Sequence, residues 1–167
     1  LLQDGLRYTN AVESISAPST SQQNGAIAPN HNRNYKDLPN QSAFRGFAEE
    51  KDKENVGQDP EIFACNGLVG ATYNVDLIQR IGEQTGEEAI WAGYNGIYGL
   101  GVNIHRGAYC GRTFEYYSED GFLTGVAAGY EAVGLHKLGV FVLMKHAVLN
   151  DQETHRAGLN VWANEQS

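Results

Sequence analysis

Two short apolar runs, Ile97–Val102 and Val140–Met144, each pass straight into a cluster of charged and hydrogen-bonding groups. Asn103, His105, Arg106 and Arg112 follow the first; Lys145 and His146 follow the second. Runs this short and this apolar are predicted to be buried parallel strands. Polar groups gathered where such strands end are what α/β enzymes and binding proteins place at a ligand face. Arg112 brings a planar fork of donors, Lys145 a point charge and His146 a group that donates or accepts. Each also has a plainer role. Arg112 would serve as a loop-organising ion pair and His146 as a satisfied structural histidine. Lys145 is harder to explain that way, because a charge at the end of a buried strand must find partners there. His105 and Arg106 read as structural.

The elements that must position these groups are legible from spacing. Leu68–Tyr73 is predicted as a strand, and Asn74 as the cap of a helix to about Ala92, with Asp76 favourable in its first turn. Leu77, Ile81 and Ala89 fall near one face of it, and Gly82 and Gly86 would allow close approach to a sheet. Ile97–Val102 is the next strand. Ser118-Glu119-Asp120 opens a second helix, whose Phe122, Val126, Tyr130 and Val133 recur at helical spacing and are predicted to be core. Gly139 turns the chain into the strand Val140–Met144. Strands alternating with helices imply right-handed crossovers and a parallel sheet. Three strands and two helices suit part of a (β/α) barrel, which takes about 250 residues when complete.

The rest of the composition excludes more than it assigns. A chain of 167 residues with 41% hydrophobic and 19% charged residues can build one core. A net charge of −8 argues against nucleic acid, whose phosphates need a basic surface. No run approaches the roughly 18 apolar residues of a membrane helix. Two cysteines, Cys65 and Cys110, cannot build a disulfide-rich scaffold, and suit two separate thiols better than a single bridge. A metal-dependent hydrolase built on His105, His146, His155 and Glu153 lacks the required spacing, since no H-E-x-x-H occurs. From Tyr8 to Asp59 the sequence turns to Ser, Gln, Asn, Pro and charge, and is predicted to be an irregular polar insertion with one helical turn near Ser42–Glu50. Asn164-Glu165-Gln166 reads as the first turn of another helix, as in a segment taken from a longer protein.

The assembled blocks resemble glycoside hydrolase family 3, most of all bacterial β-glucosidases. They are ATYNVDLIQRIGEQTGEEA, NIHR, GRTFEYYSED, KHAVLNDQETHR and NVWANEQ, in that order, with a weaker match at Gln3-Asp4-Gly5. The family's usual proline after Asp-Gly is absent here, and Ala147 stands where an aromatic commonly follows the Lys-His pair. The resemblance implies a partial TIM-like (β/α) barrel: 1–7 as its start, 8–59 as the insertion, and 60–167 as barrel truncated before the nucleophile. It implies a retaining, exo-acting β-glycosidase acting on terminal β-linked sugars. Arg112, Lys145, His146 and Asp4 would contact the sugar in subsite −1, with nucleophile and acid/base lying downstream. The implied partners are a small carbohydrate and the rest of the parent chain, with no cofactor, nucleic acid or membrane. A non-catalytic carbohydrate-binding or interaction protein on the same fold is the other reading. Localisation is not readable.

Overall fold

A computed structural model describes residues 8–9, 13–16, 20–24, 63–91 and 94–166. Asp4, the first residues of the expected barrel and the helical turn expected near Ser42–Glu50 lie outside them. The elements run β1 (Tyr8–Thr9), β2 (Thr20–Asn24), α1 (Asn66–Ala71), α2 (Val75–Trp91), β3 (Gly96–Gly101), α3 (Gly121–Lys137) and β4 (Phe141–Lys145), with short 3-10 turns between them. The sheet order is β1-β2-β3-β4. β2, β3 and β4 are parallel, and β1 lies antiparallel to β2. The chain is therefore α/β with parallel strands, as its alternation predicts.

The stretch predicted to be mostly irregular thus contributes two strands. Gln22, Gln23 and Asn24 pair with Gly96, Ile97 and Tyr98. Their polar side chains hid a strand from a reading based on apolar runs, because pairing is made by backbone groups that every residue carries. The expected strand at Leu68–Tyr73 is a second correction: Asn66–Ala71 is a helix. A short apolar run does not distinguish the two states, and Gly67 and Gly70 settle it by packing. A Cβ on Gly70 would lie 2.6 Å from the Tyr117 carbonyl oxygen, so α1 seats its backbone against the segment after β3.

α2 begins where expected, with Asn74 Oδ1 accepting from the Leu77 amide at 3.1 Å. Ile78, Gly82, Thr85, Gly86 and Ala89 are buried, one stripe at helical spacing. The close approach made by Gly82 is to α3, however, and not to the sheet. Cβ atoms at Gly82 and Gly134 would overlap the carbonyls of Glu131 and Gln79, so the two helices cross nearly backbone to backbone.

That crossing also corrects the face of α3. Asp120 caps the helix, its Oδ1 accepting from the Leu123 amide at 2.6 Å. The buried residues are Thr124, Ala127, Ala128, Glu131, Ala132, Gly134 and Leu135. The expected stripe points outward, with Phe122 83% exposed. Large apolar residues surround this helix, and only small ones fit where α2 comes so close.

Ile97 and Leu100 of β3 join Ile78, Ala127, Ala128, Leu135 and Val140 in one core. Burying the Ile, Leu and Val side chains among them is worth about 1.5–3 kcal/mol each. β4 is less buried than its sequence suggests, with Leu143 and Met144 exposed, because it is the last strand of the sheet among the described residues. At the end of the described residues Asn164 Oδ1 accepts from the Gln166 amide at 3.1 Å, the contact that a helix-capping asparagine makes. Among the described residues no helix is long and apolar enough to cross a membrane.

Candidate functional site

Parallel pairing delivers the chain that follows β3 and the chain that follows β4 to the same edge of the sheet. Gly101 and Lys145 are register partners at that edge. The Val102 amide continues the ladder, donating to the Lys145 carbonyl at 2.8 Å. The returning loop is held there too, since Tyr116 forms a parallel bridge with Gly101. A side chain at Gly101 would overlap the Glu115 carbonyl, so this approach requires glycine. Arg112, three residues ahead of Glu115, is thereby set beside the end of β4.

Arg112 and Lys145 meet around one carboxylate, and His146 joins them through Arg112. The Arg112 Nε donates to Glu115 Oε1 in a short ion pair. Lys145 Nζ lies 3.6 Å from Glu115 Oε2. Glu115 itself is 2% exposed, so the two cations provide the charge compensation that burial demands. Arg112 Nη1 reaches His146 Nε2 at 3.1 Å, and lies 3.8 Å from Glu153 Oε1. The guanidinium and ammonium side chains are each 20% exposed, so both extend from this buried anchor to the surface.

The histidine's protonation follows from its partners. A guanidinium only donates, so His146 Nε2 accepts from Arg112. A neutral imidazole then carries its hydrogen on Nδ1 and donates it to Tyr116 Oη, 3.1 Å away. That same oxygen accepts from Asn150 Nδ2 at 2.6 Å. Burial, reinforced by the neighbouring Arg112 charge, holds the imidazole below its ordinary 6.5. Burial also lowers Lys145, against the pull of Glu115. For Arg112 burial works against the charge, but the Glu115 hydrogen bond and attraction more than offset it, and the net shift is upward. Burial raises Tyr116, partly opposed by the Asn150 hydrogen bond.

The neighbouring polar residues serve as supports. His105 Nε2 donates to the carbonyls of Thr113 and Tyr116, both at 2.9 Å, and so pins the turn that carries Glu115. Arg106 pairs with Asp151 at 2.9 Å, and Glu153 lies 3.4 Å from Arg156. Asn103, buried after β3, accepts from the Asn150 amide at 2.8 Å and joins the two loops. These are the structural roles predicted for His105 and Arg106. Cys65 and Cys110 are free thiols. Among the described residues no group of three His, Cys, Asp or Glu side chains is arranged to hold a metal ion.

Spacing alone missed Tyr116 and Asn150, although both sit in the quoted blocks GRTFEYYSED and KHAVLNDQETHR. A cavity of about 280 Å³ opens beside the site, between the loops after β3 and β4. Val102, Ile104, Val148, Arg106 and Asp151 are among its walls, whereas Arg112, Lys145 and His146 are not. The three site residues share an ion-pair cluster, then, and not that hollow. Chemically, the cluster presents charge-assisted donors on a fixed support, suited to an oxygen-rich ligand.

The chain matches no protein-family model. It is 35% identical to β-glucosidase A of Butyrivibrio fibrisolvens over 130 residues, which is 78% of this chain and 16% of that protein. β-Glucosidase 3B of Thermotoga neapolitana, solved with α-D-glucose, is similar in structure with a TM-score of 0.70. It is 30% identical, and the match covers 89% of this chain and 19% of that one. The GH3 β-glucosidase of Bifidobacterium adolescentis gives a TM-score of 0.66 at 27% identity, over 90% of this chain and 19% of that one. The chain thus spans less than a fifth of each of these relatives.

Proposed function

We propose that this chain, which belongs with the β-glucosidases of glycoside hydrolase family 3, is the sugar-holding part of a β-glucosidase-like hydrolase. Its sheet and helices form part of a TIM-like barrel, and its Arg112, Lys145 and His146 hold the terminal β-linked sugar in subsite −1. Asp4 joins them. The observation that carries this reading is the convergence of Arg112 and Lys145 on Glu115 where β3 and β4 end, with His146 hydrogen-bonded to Arg112. A sugar ring offers hydroxyls that donate and accept, and rigid charged donors bind them with little loss of entropy. Contacts that tighten as the ring flattens toward an oxocarbenium ion favour the transition state.

Hydrolysis with retention needs two carboxyl groups about 5–5.5 Å apart. Near this site Glu115 is taken by Arg112 and Lys145, Asp151 by Arg106, and Glu153 lies between Arg112 and Arg156. The reading therefore places the catalytic pair elsewhere in the parent protein. Titrating D-glucose into isotopically labelled chain tests it. Amide and side-chain signals of Arg112, Lys145 and His146 are expected to move together, and with no shift at any of them the sugar-holding role is lost. Incubation with an aryl β-glucoside is expected to give no turnover; ordinary glycosidase rates from this chain alone would contradict the placement of the carboxyl pair.

A further inference from the structure

We infer that Glu115 is the positioning residue of this site: one buried carboxylate that sets Arg112 and Lys145 at a fixed separation and thereby aims both at the sugar. The inference rests on the sugar-holding role proposed above, and adds a residue that does not itself touch the ligand.

Geometry separates this role from an ordinary ion pair. Each carboxylate oxygen serves a different cation, Oε1 facing Arg112 Nε and Oε2 facing Lys145 Nζ at 3.6 Å. Both oxygens thus face a cation. The carboxylate also has no freedom to follow one partner. Its own carbonyl packs on Gly101, and the next residue bridges to that glycine. Lys145 is the register partner of the same glycine. Backbone from β3, β4 and the returning turn therefore fixes where the negative charge sits.

Without that charge the cluster would fly apart. Arg112 and Lys145 would face each other as like charges in a half-buried setting, where repulsion is poorly screened. Arg112 would also lose the contact that orients its plane toward His146. Other charged or titratable groups around the carboxylate are His146, Tyr116, Glu153 and Arg156. Glu153 is the only other carboxylate among them and is 34% exposed, so it is no substitute for a buried anchor.

The test uses Glu115→Gln and Glu115→Asp in the 167-residue chain. Without sugar, the imidazole titration of His146 is followed by proton NMR. Glu115 favours the protonated imidazole, so Glu115→Gln is expected to move its midpoint lower than in the unaltered chain, and Glu115→Asp to restore it most of the way. With D-glucose, Glu115→Gln is expected to weaken binding about tenfold or more, with Glu115→Asp between the two. An unchanged His146 midpoint and unchanged Arg112 Nε–H signal in Glu115→Gln, with native far-UV circular dichroism, would overturn the inference. If Glu115→Gln does not fold, Glu115→Asp decides. Retraction by one methylene is expected to move the Arg112 Nε–H signal upfield, and a signal that stays put overturns the inference. If the unaltered chain does not bind glucose, the sugar-holding role fails, while the sugar-free titration still judges Glu115.

Discussion

Arg112 Nη1 donates to His146 Nε2 across 3.1 Å, joining the loop after β3 to the end of β4 although 34 positions separate the residues. The contact exists only while the imidazole is neutral, because a protonated ring would set two cations against each other. His146 is therefore expected to titrate below 6.5, through burial first and the Arg112 charge second. The sign for stability follows from linkage. A histidine with a depressed folded-state value binds fewer protons folded than unfolded. Its contribution is complete above 6.5, falls as pH drops below that value, and levels off once the folded form protonates too. Imidazole proton NMR is expected to show the low midpoint, and nitrogen-15 shifts to show the hydrogen on Nδ1. Arg112→Gln is expected to raise the midpoint.

Arg112→Lys preserves the charge and removes the fork. A lysine ammonium cannot face Glu115 through one nitrogen and His146 through another in a single plane. Losing one charge-assisted hydrogen bond costs about 1.5–3 kcal/mol. Glucose affinity measured by calorimetry is expected to fall by about tenfold or more. An affinity equal to that of the unaltered chain would show that point charge, and not planar geometry, is what matters at this position.

Glu131 of α3 accepts from Tyr117 Oη at 2.7 Å inside the core. Burial lifts its carboxyl to about 7, with the Tyr117 hydrogen bond holding it lower than burial alone would. Between its ordinary 4.5 and about 7 the folded chain retains a proton that the unfolded chain releases. Stability is thus complete at low pH for this group and is lost as pH rises through about 7, by about 3 kcal/mol in all. Denaturant melts at pH 5 and pH 8 are expected to show the loss, and Glu131→Gln to remove most of it. Tyr117→Phe strips the carboxyl of its partner and is expected to cost about 1–3 kcal/mol.

The glycines of α2 and α3 fall into two kinds. At Gly82 and Gly134 an added methyl meets the backbone of the other helix, which cannot yield. Gly82→Ala or Gly134→Ala is expected to cost at least about 1–3 kcal/mol by overpacking, or to prevent folding. At Gly125 and Gly129 a methyl meets nothing within 4 Å. Alanine there is expected to raise stability by about 0.5–1 kcal/mol, since it removes the entropy cost of a mid-helix glycine. Melting temperatures of the four variants would separate the two kinds.

Legibility in the sequence followed the physics of each signal. β3 and α2 were readable because each carries its own evidence, a run of apolar residues or a cap with a buried period. β2 was not, since Gln22 and Gln23 declare nothing about pairing. α1 passed for a strand because six residues are too few to show a period. The face of α3 was misread for a different reason: close helix crossing selects small residues, and a search for large apolar ones looks at the wrong side. For the site, Arg112, Lys145 and His146 announced themselves through charge at strand ends. The bridge that Glu115 makes to Lys145 was not legible, because that relation depends on which strands lie side by side.

Tyr116 and Tyr117 are consecutive, yet one ring meets His146 and the other reaches under α3 to Glu131. Neither can shift without dragging its neighbour. Heat should consequently offer this molecule no halfway condition in which a ligand-ready edge survives above a loosened interior. Warming that frees the second tyrosine also dismantles the first, so the ability to hold a ligand and the helical circular dichroism are expected to vanish in a single transition.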